Sequence, residues 1–168
     1  MSYSYECSVC GNARPVTGEC PFCKTSIAPL AHSDTDVINL ELDSPSSDEA
    51  LDQLTHYIRA ASEAHIRALV VIHGYGSSGK GGNIRKKVRE ALEHNYFADR
   101  VSEYYHGEDL RHQSDLYRDV IKRRPGLKKH FKLFKEGNAG MTLLMMHSMI
   151  LREGSTSMIS FSITARLK

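Results

Sequence analysis

The sequence predicts a two-layer α/β domain preceded by a small ribbon held by four cysteines. Three observations carry that expectation. Short apolar, β-branched runs alternate with segments of helical period; a glycine-rich loop joins one such run to a helix; and two C-x2-C pairs stand close together near the start of the chain. With 168 residues there is chain enough for one main core and an appendage, but not for two large cores. A hydrophobic fraction of 40% and a charged fraction of 25% belong to a folded, water-exposed protein, and exclude collagen-like or wholly disordered classes.

Cys7, Cys10, Cys20 and Cys23 come first in the chain. Two C-x2-C pairs present four thiolates to one tetrahedral ion, so the segment 1–28 is expected to be a four-cysteine zinc ribbon whose Zn²⁺ is structural. Four thiolates leave no open coordination position for water or substrate. An iron site has the same ligand set and stays open as an alternative. Disulfides are disfavoured because the N-terminus MSYSYECSVC lacks the apolar stretch of a secretory signal, which sets the expectation at a reducing, cytoplasmic location. Apolar runs such as Ala68 to Ile72 are far too short to span a bilayer, so no membrane partner is expected.

Residues 29–36, with Pro29 and no hydrophobic period, read as a linker. Val37 to Leu42 alternates as a strand. Ser46 and Glu49 stand at capping-box spacing, and Leu51, Leu54, Ile58 and Ala61 then recur on one helical face, which predicts a helix over about 48–65. Ala68 to His73 reads as a strand buried on both faces. Ile84, Val88, Ala91 and Leu92 mark a second helix, Arg100 to His106 a third strand and Met141 to Met146 another buried strand. The strict alternation of Ile159, Phe161, Ile163, Ala165 and Leu167 marks the tail 148–168 as a candidate edge strand.

The segment ALVVIHGYGSSGKGGNIRKKVREAL carries the most chemistry. A strand delivers His73 to the sheet edge, glycines let the backbone approach a ligand closely, and a helix opens with unpaired amides toward the same space. Such a junction attracts phosphate. Candidate phosphate contacts are His73, Gly74, Gly76, Lys80, Gly81, Gly82, Arg85 and Lys86. The spacing Gly74-x4-Gly79-Lys80 also approaches that of a P-loop nucleotide binder, but Gly81 stands where a hydroxyl should hold Mg²⁺.

His73-Gly74-Tyr75-Gly76, Gly81-Gly82, Ile84-Arg85-Lys86-Lys87-Val88 and Ala91-Leu92 resemble the HGxG loop and following helix of the Smr domain, the small MutS-related domain. Asp48-Glu49-Ala50-Leu51 and the turn Gly137-Asn138-Ala139-Gly140 before Met141-Thr142-Leu143-Leu144 agree with it. The resemblance covers 37–147, with 107–136 as an insertion. It implies a βαβαββ sandwich with a mixed sheet, nucleic-acid binding, and DNA nicking or RNA cleavage in some members. Where the family has Asp-Leu-His on its first strand this chain has Asn39-Leu40-Glu41. Asn39 cannot replace a carboxylate, which leaves Glu41 and His73 as candidate catalytic residues and binding without cleavage as the alternative.

Charge is divided unevenly. Residues 1–60 hold 3 basic and 9 acidic side chains, a net −6, and residues 61–168 hold 19 and 11, a net +8, so the second part is expected to meet the polyanion, RNA or DNA. Lys128, Lys129 and Lys132 in the insertion are candidate nucleic-acid contacts among Tyr117, Phe131 and Phe134, aromatics that read as core before they read as base platforms. The competing class is a non-enzymatic adaptor that binds a protein partner through the ribbon.

Overall fold

The computed structural model describes residues 5–76 and 81–147. Three two-residue strands, β1 (Tyr5–Glu6), β2 (Ala13–Arg14) and β3 (Leu30–Ala31), form an antiparallel sheet in the order β2-β1-β3. So little backbone pairing cannot stand alone, and the side chains explain what supports it. Arg14 is 1% exposed, with its guanidinium donating to the carbonyls of Pro15, Ile27 and Gly18. A buried guanidinium without acceptors would be costly, and three carbonyls use its fork of donors.

The ribbon is seated on the rest of the chain. Tyr5 and Val16 pack against Ala61, Ala64 and Ile66, and the hydroxyls of Tyr5 and Tyr57 both donate to Asp36 Oδ2, Tyr57 at 2.6 Å. Burial and the shared carboxylate push both phenols above the ordinary tyrosine range. The stretch 29–36, expected as a linker, therefore contributes β3 and the first two residues of β4 (Thr35–Asn39). Its lack of hydrophobic period reflects strands too short to show one.

The main domain runs β4, α1 (Ser47–Glu63), β5 (Ala68–Ile72), α2 (Gly81–Glu93), β6 (Val101–His106), three short helical pieces and β7 (Met141–Met146). The sheet order is β4-β5-β7-β6. β4 and β5 are parallel, and β7 lies antiparallel to both β5 and β6, so the sheet is mixed as expected. The capping box forms: Ser46 Oγ accepts from the Glu49 amide at 3.2 Å while Glu49 accepts from the Ser46 amide at 2.8 Å. Leu54 and Ile58 of α1 and Ile84, Val88 and Leu92 of α2 pack on Leu69, Val71 and Leu144 to make one core. Each fully buried aliphatic side chain there contributes about 1.5–3 kcal/mol.

The insertion folds as α3 (Asp115–Arg123), a 3-10 turn (Pro125–His130) and α4 (Phe131–Phe134), with Pro125 separating the first two. It covers the other face of the sheet. Leu110, Tyr117, Val120, Leu127 and Phe134 pack on Ala68, Val70, Met141, Leu143 and Met145, a second core and a third layer beyond the α1–α2 sandwich. With both faces covered, β7 is buried at every position and β5 at four of five, which is why these runs are continuously apolar. Tyr117 and Phe134 are core residues, while Phe131 remains 41% exposed. The candidate edge strand in 148–168 lies outside the described residues.

Candidate functional site

Two places gather reactive side chains. The first is at the ribbon. Cys7 Sγ lies 3.6 Å from Cys23 Sγ and Cys10 Sγ lies 3.7 Å from Cys20 Sγ, with all four sulfurs within 4.8 Å of one another. Thiolates held about 2.3 Å from one tetrahedral ion are about 3.8 Å apart, so this spacing fits ligation, whereas a disulfide needs about 2.05 Å. The two knuckles match: Gly11 N donates to Cys7 O and Lys24 N to Cys20 O, both at 2.9 Å, turning each pair inward. The Cys10 amide brings the Cys7 thiol down to about 6. For Cys23 the Thr25 amide acts in the same direction, but burial and the neighbouring cysteine sulfurs outweigh it and push the thiol up to about 12. A cation is what lets all four ionise together. The four cysteines can hold a metal ion.

The second is the glycine loop at the carboxyl end of β5. Gly74 and Gly76 have φ of +72° and +79°, and a Cβ on Gly74 would overlap the Glu41 carboxylate, so only glycine lets that acid lie against the loop. The structure thus brings exposed Glu41 onto the loop. Asn39 turns away from it, its Oδ1 accepting from the Glu41 amide at 2.9 Å. On the other side, Gly140 O accepts from both His73 N and Gly74 N at 2.9 Å, and Tyr75 Oη accepts from Ala139 N at 3.1 Å. The glycine turns 74–76 and 137–140 form one surface.

His73 lies beneath that surface, 0% exposed. Its Nδ1 faces the Gly74 carbonyl at 3.4 Å and its Nε2 lies 2.9 Å from Thr142 Oγ1. A carbonyl only accepts, so the neutral ring carries its proton on Nδ1 and takes the Thr142 hydroxyl proton at Nε2. Burial brings His73 down to about 4, with the charges of Arg89, Arg85 and His106 adding to it. Thr142 is the partner that sequence reading missed. Its signal was a lone hydroxyl inside the apolar run MTLLMM.

Beyond the loop, α2 opens with Gly82 exposed and carries Arg85, Lys86 and Arg89 along an open cleft of about 450 Å³ that Glu90 and Glu93 also line. Lys86 is exposed. Glu108 Oε1 and Oε2 accept from Arg89 Nη2 at 2.6 and 2.7 Å, and Oε1 lies 3.4 Å from Arg85 Nη2. Partial burial raises the Glu108 carboxyl, but the Arg89 hydrogen bond and the two guanidinium charges bring it below the usual range. Arg89 and Glu108 are 19 residues apart, a pairing no local pattern announces.

Lys128 and Lys129 are placed elsewhere. Lys129 Nζ donates to Ser33 Oγ at 2.8 Å and Thr35 O at 3.3 Å, beside the first residue of β4 and so at the opposite end of the sheet from the loop. Lys128 and Lys132 are exposed on the same insertion. Lys80 of the phosphate-binding expectation, and Gly79-Lys80 of the P-loop expectation, lie outside the described residues; Gly81 is the first residue of α2. A separate cleft of about 730 Å³, lined by Arg14, Val16, Leu42, His56 and Tyr57, runs between the ribbon and α1, away from the glycine loop. No helix among the described residues is long and apolar enough to cross a membrane.

A mixed sheet with a glycine-containing, basic-flanked loop at a strand-to-helix junction sets the class of α/β domain. Within it, residues 40–114 match the family model described as the Smr domain. The protein is also similar in structure to the Smr domain of Thermus thermophilus MutS2, at 21% identity and a TM-score of 0.41, over 67% of this chain and 99% of that one. No curated protein matches significantly.

Proposed function

We propose that the protein binds nucleic acid through backbone phosphates lying over the turn Gly74–Gly76, the exposed start of α2 at Gly82, and the side chains of Arg85 and Lys86, without cleaving the strand. The observation that carries this reading is the α2 cleft, where Gly82, Arg85, Lys86 and Arg89 line one open surface beside the loop. The match to the Smr domain over residues 40–114 supports the same ligand class. Donors of this kind neutralise phosphates without reading bases, so affinity would depend steeply on salt and little on sequence.

Binding without cleavage is favoured by the side chains at hand. Asn39 is not ionisable, and His73 is enclosed with Nε2 engaged by Thr142, so His73 serves as a positioning residue that holds the loop to β7. Glu41 is the exposed acid beside the loop, and a carboxylate there repels a phosphodiester unless it is protonated. The four cysteines would take zinc as a structural ion, whose charge stabilises the thiolates of an appendage too small for a core of its own. Lys128 and Lys132 would add a second, distant contact for a longer strand.

The test is a fluorescence-anisotropy titration of short labelled single- and double-stranded RNA and DNA between about 50 and 200 mM salt. Arg85→Ala combined with Lys86→Ala should weaken binding and flatten the plot of log K against log salt by about 1.4 to 1.8, as two phosphate contacts are lost. Unchanged affinity and slope would remove α2 from the interface. Loss of intact strand with the wild type and not with Glu41→Gln would show that cleavage occurs.

A further inference from the structure

We infer that Arg85 and Arg89 form a phosphate subsite that Glu108 fills in the free protein, so that a strand must displace this carboxylate to gain its contact with α2. The inference rests on the nucleic-acid reading above and adds Arg89 and Glu108 to it.

Three features point the same way. The first is an imbalance of charge and donors. Two guanidiniums meet one carboxylate, and Glu108 engages one nitrogen of each, while Arg89 Nε is buried without a hydrogen-bond partner. Each guanidinium has five N–H donors, more than one carboxylate can use, and a phosphodiester's two charged oxygens suit the same fork as a carboxylate's. The second is accessibility. The side chains of Arg89, Arg85 and Glu108 are 20%, 30% and 35% exposed, and both arginines line the α2 cleft next to Lys86. At this partial exposure the ion pair is partly screened and adds modestly to stability, so opening it leaves the two cores of the domain in place.

The third is a division between a fixed backbone and a movable side chain. Gly107 N donates to Met141 O at 3.0 Å, and a Cβ on Gly107 would overlap the Asn138 carbonyl. The backbone of Glu108 is packed against Gly137 on the same turn. The chain therefore cannot withdraw, but the Glu108 side chain can rotate off the arginines at the cost of one set of rotamers. Exchange of one monoanion for another on the same donors needs no rearrangement of α2. Because Glu108 stands at the head of the insertion 107–136, that segment would set the affinity of the domain for its strand.

Glu108→Gln keeps the size of the side chain and removes its charge. Relative to wild type it should tighten binding of a short labelled single strand by about fivefold, since a competing charge beside the ligand is gone. It should also steepen the salt slope by about 0.7, one additional phosphate on a single strand. Arg89→Ala in the Glu108→Gln background should cancel both gains. Glu108→Asp, which shortens the reach to Arg89, provides the second variant and should move both quantities in the same direction. Thermal melts within a few degrees of wild type show that each variant is folded. If wild type binds and folded Glu108→Gln and Glu108→Asp match it in affinity and slope, or bind more weakly, Glu108 is a structural tie and the subsite is refuted. If neither wild type nor Glu108→Gln binds any strand at the lowest salt, the nucleic-acid reading itself fails. Binding by Glu108→Gln alone would show Glu108 to be a complete block.

Discussion

Acidification should destabilise this protein through one buried ring. His73 titrates at about 4 in the folded chain against 6.5 for an ordinary histidine, because burial and the charges of Arg89, Arg85 and His106 favour the neutral form and outweigh the opposing Gly74 carbonyl. The depressed value means that the unfolded chain takes up the proton first. The stability it represents is fully present above pH 6.5 and is lost as pH falls from about 6.5 toward about 4. The whole difference corresponds to about 3.4 kcal/mol, of which about 2 kcal/mol should be gone by pH 5. That is a large part of the margin of a typical domain. Urea denaturation of wild type and His73→Gln at pH 7.5 and pH 5 isolates the term, because His130 and the bulk of the His106 contribution cancel in the difference. The wild type should lose about 2 kcal/mol more than the variant over that interval, and the His73 ring protons should titrate by NMR with a midpoint near 4. A midpoint near 6.5, or parallel losses in the two proteins, would refute the enclosed, neutral histidine.

Two other outcomes follow from the packing. Phe134→Ala empties a side chain that is 1% exposed under the insertion, and should cost about 3–5 kcal/mol in chemical denaturation; a cost below about 1 kcal/mol would mean that the insertion is not a true third layer. Removal of bound metal by a chelator, or Cys20→Ser, should unfold the ribbon and expose the patch where Tyr5 and Val16 rest on Ala61, Ala64 and Ile66. Hydrogen exchange would then rise at the end of α1 and in β3, and unchanged protection there would show a ribbon that stands without its ion.

The elements of the main domain were legible because each is a local pattern. The capping box at Ser46 and Glu49, the runs ALVVI and MTLLMM, and the stripe Ile84, Val88 and Leu92 depend on residues within a few positions of one another. The cysteine cluster was legible for the same reason, since the C-x2-C spacing already restricts where the sulfurs can go. The glycine loop was legible as a type of backbone: a turn between strand and helix with φ values that favour glycine at 74 and 76.

What only the tertiary structure decided are partnerships across the fold. His73 stands out in the sequence as the end of a strand before a glycine loop, but only the fold shows that β7 sets Thr142 against its Nε2 and encloses the ring. Lys128 and Lys129 read in the sequence only as basic residues of the insertion, and it is the fold that lays the insertion across the far face of the sheet and ties Lys129 to Ser33 and Thr35. Glu108 carries no signal at all in the sequence, and its hold on Arg85 and Arg89 exists because β6 ends beside α2. Local spacing determines which backbone forms, through sterics and hydrogen bonds a few residues long. Which charge meets which, and which donor faces water, depends on how strands distant in sequence are ordered in one sheet.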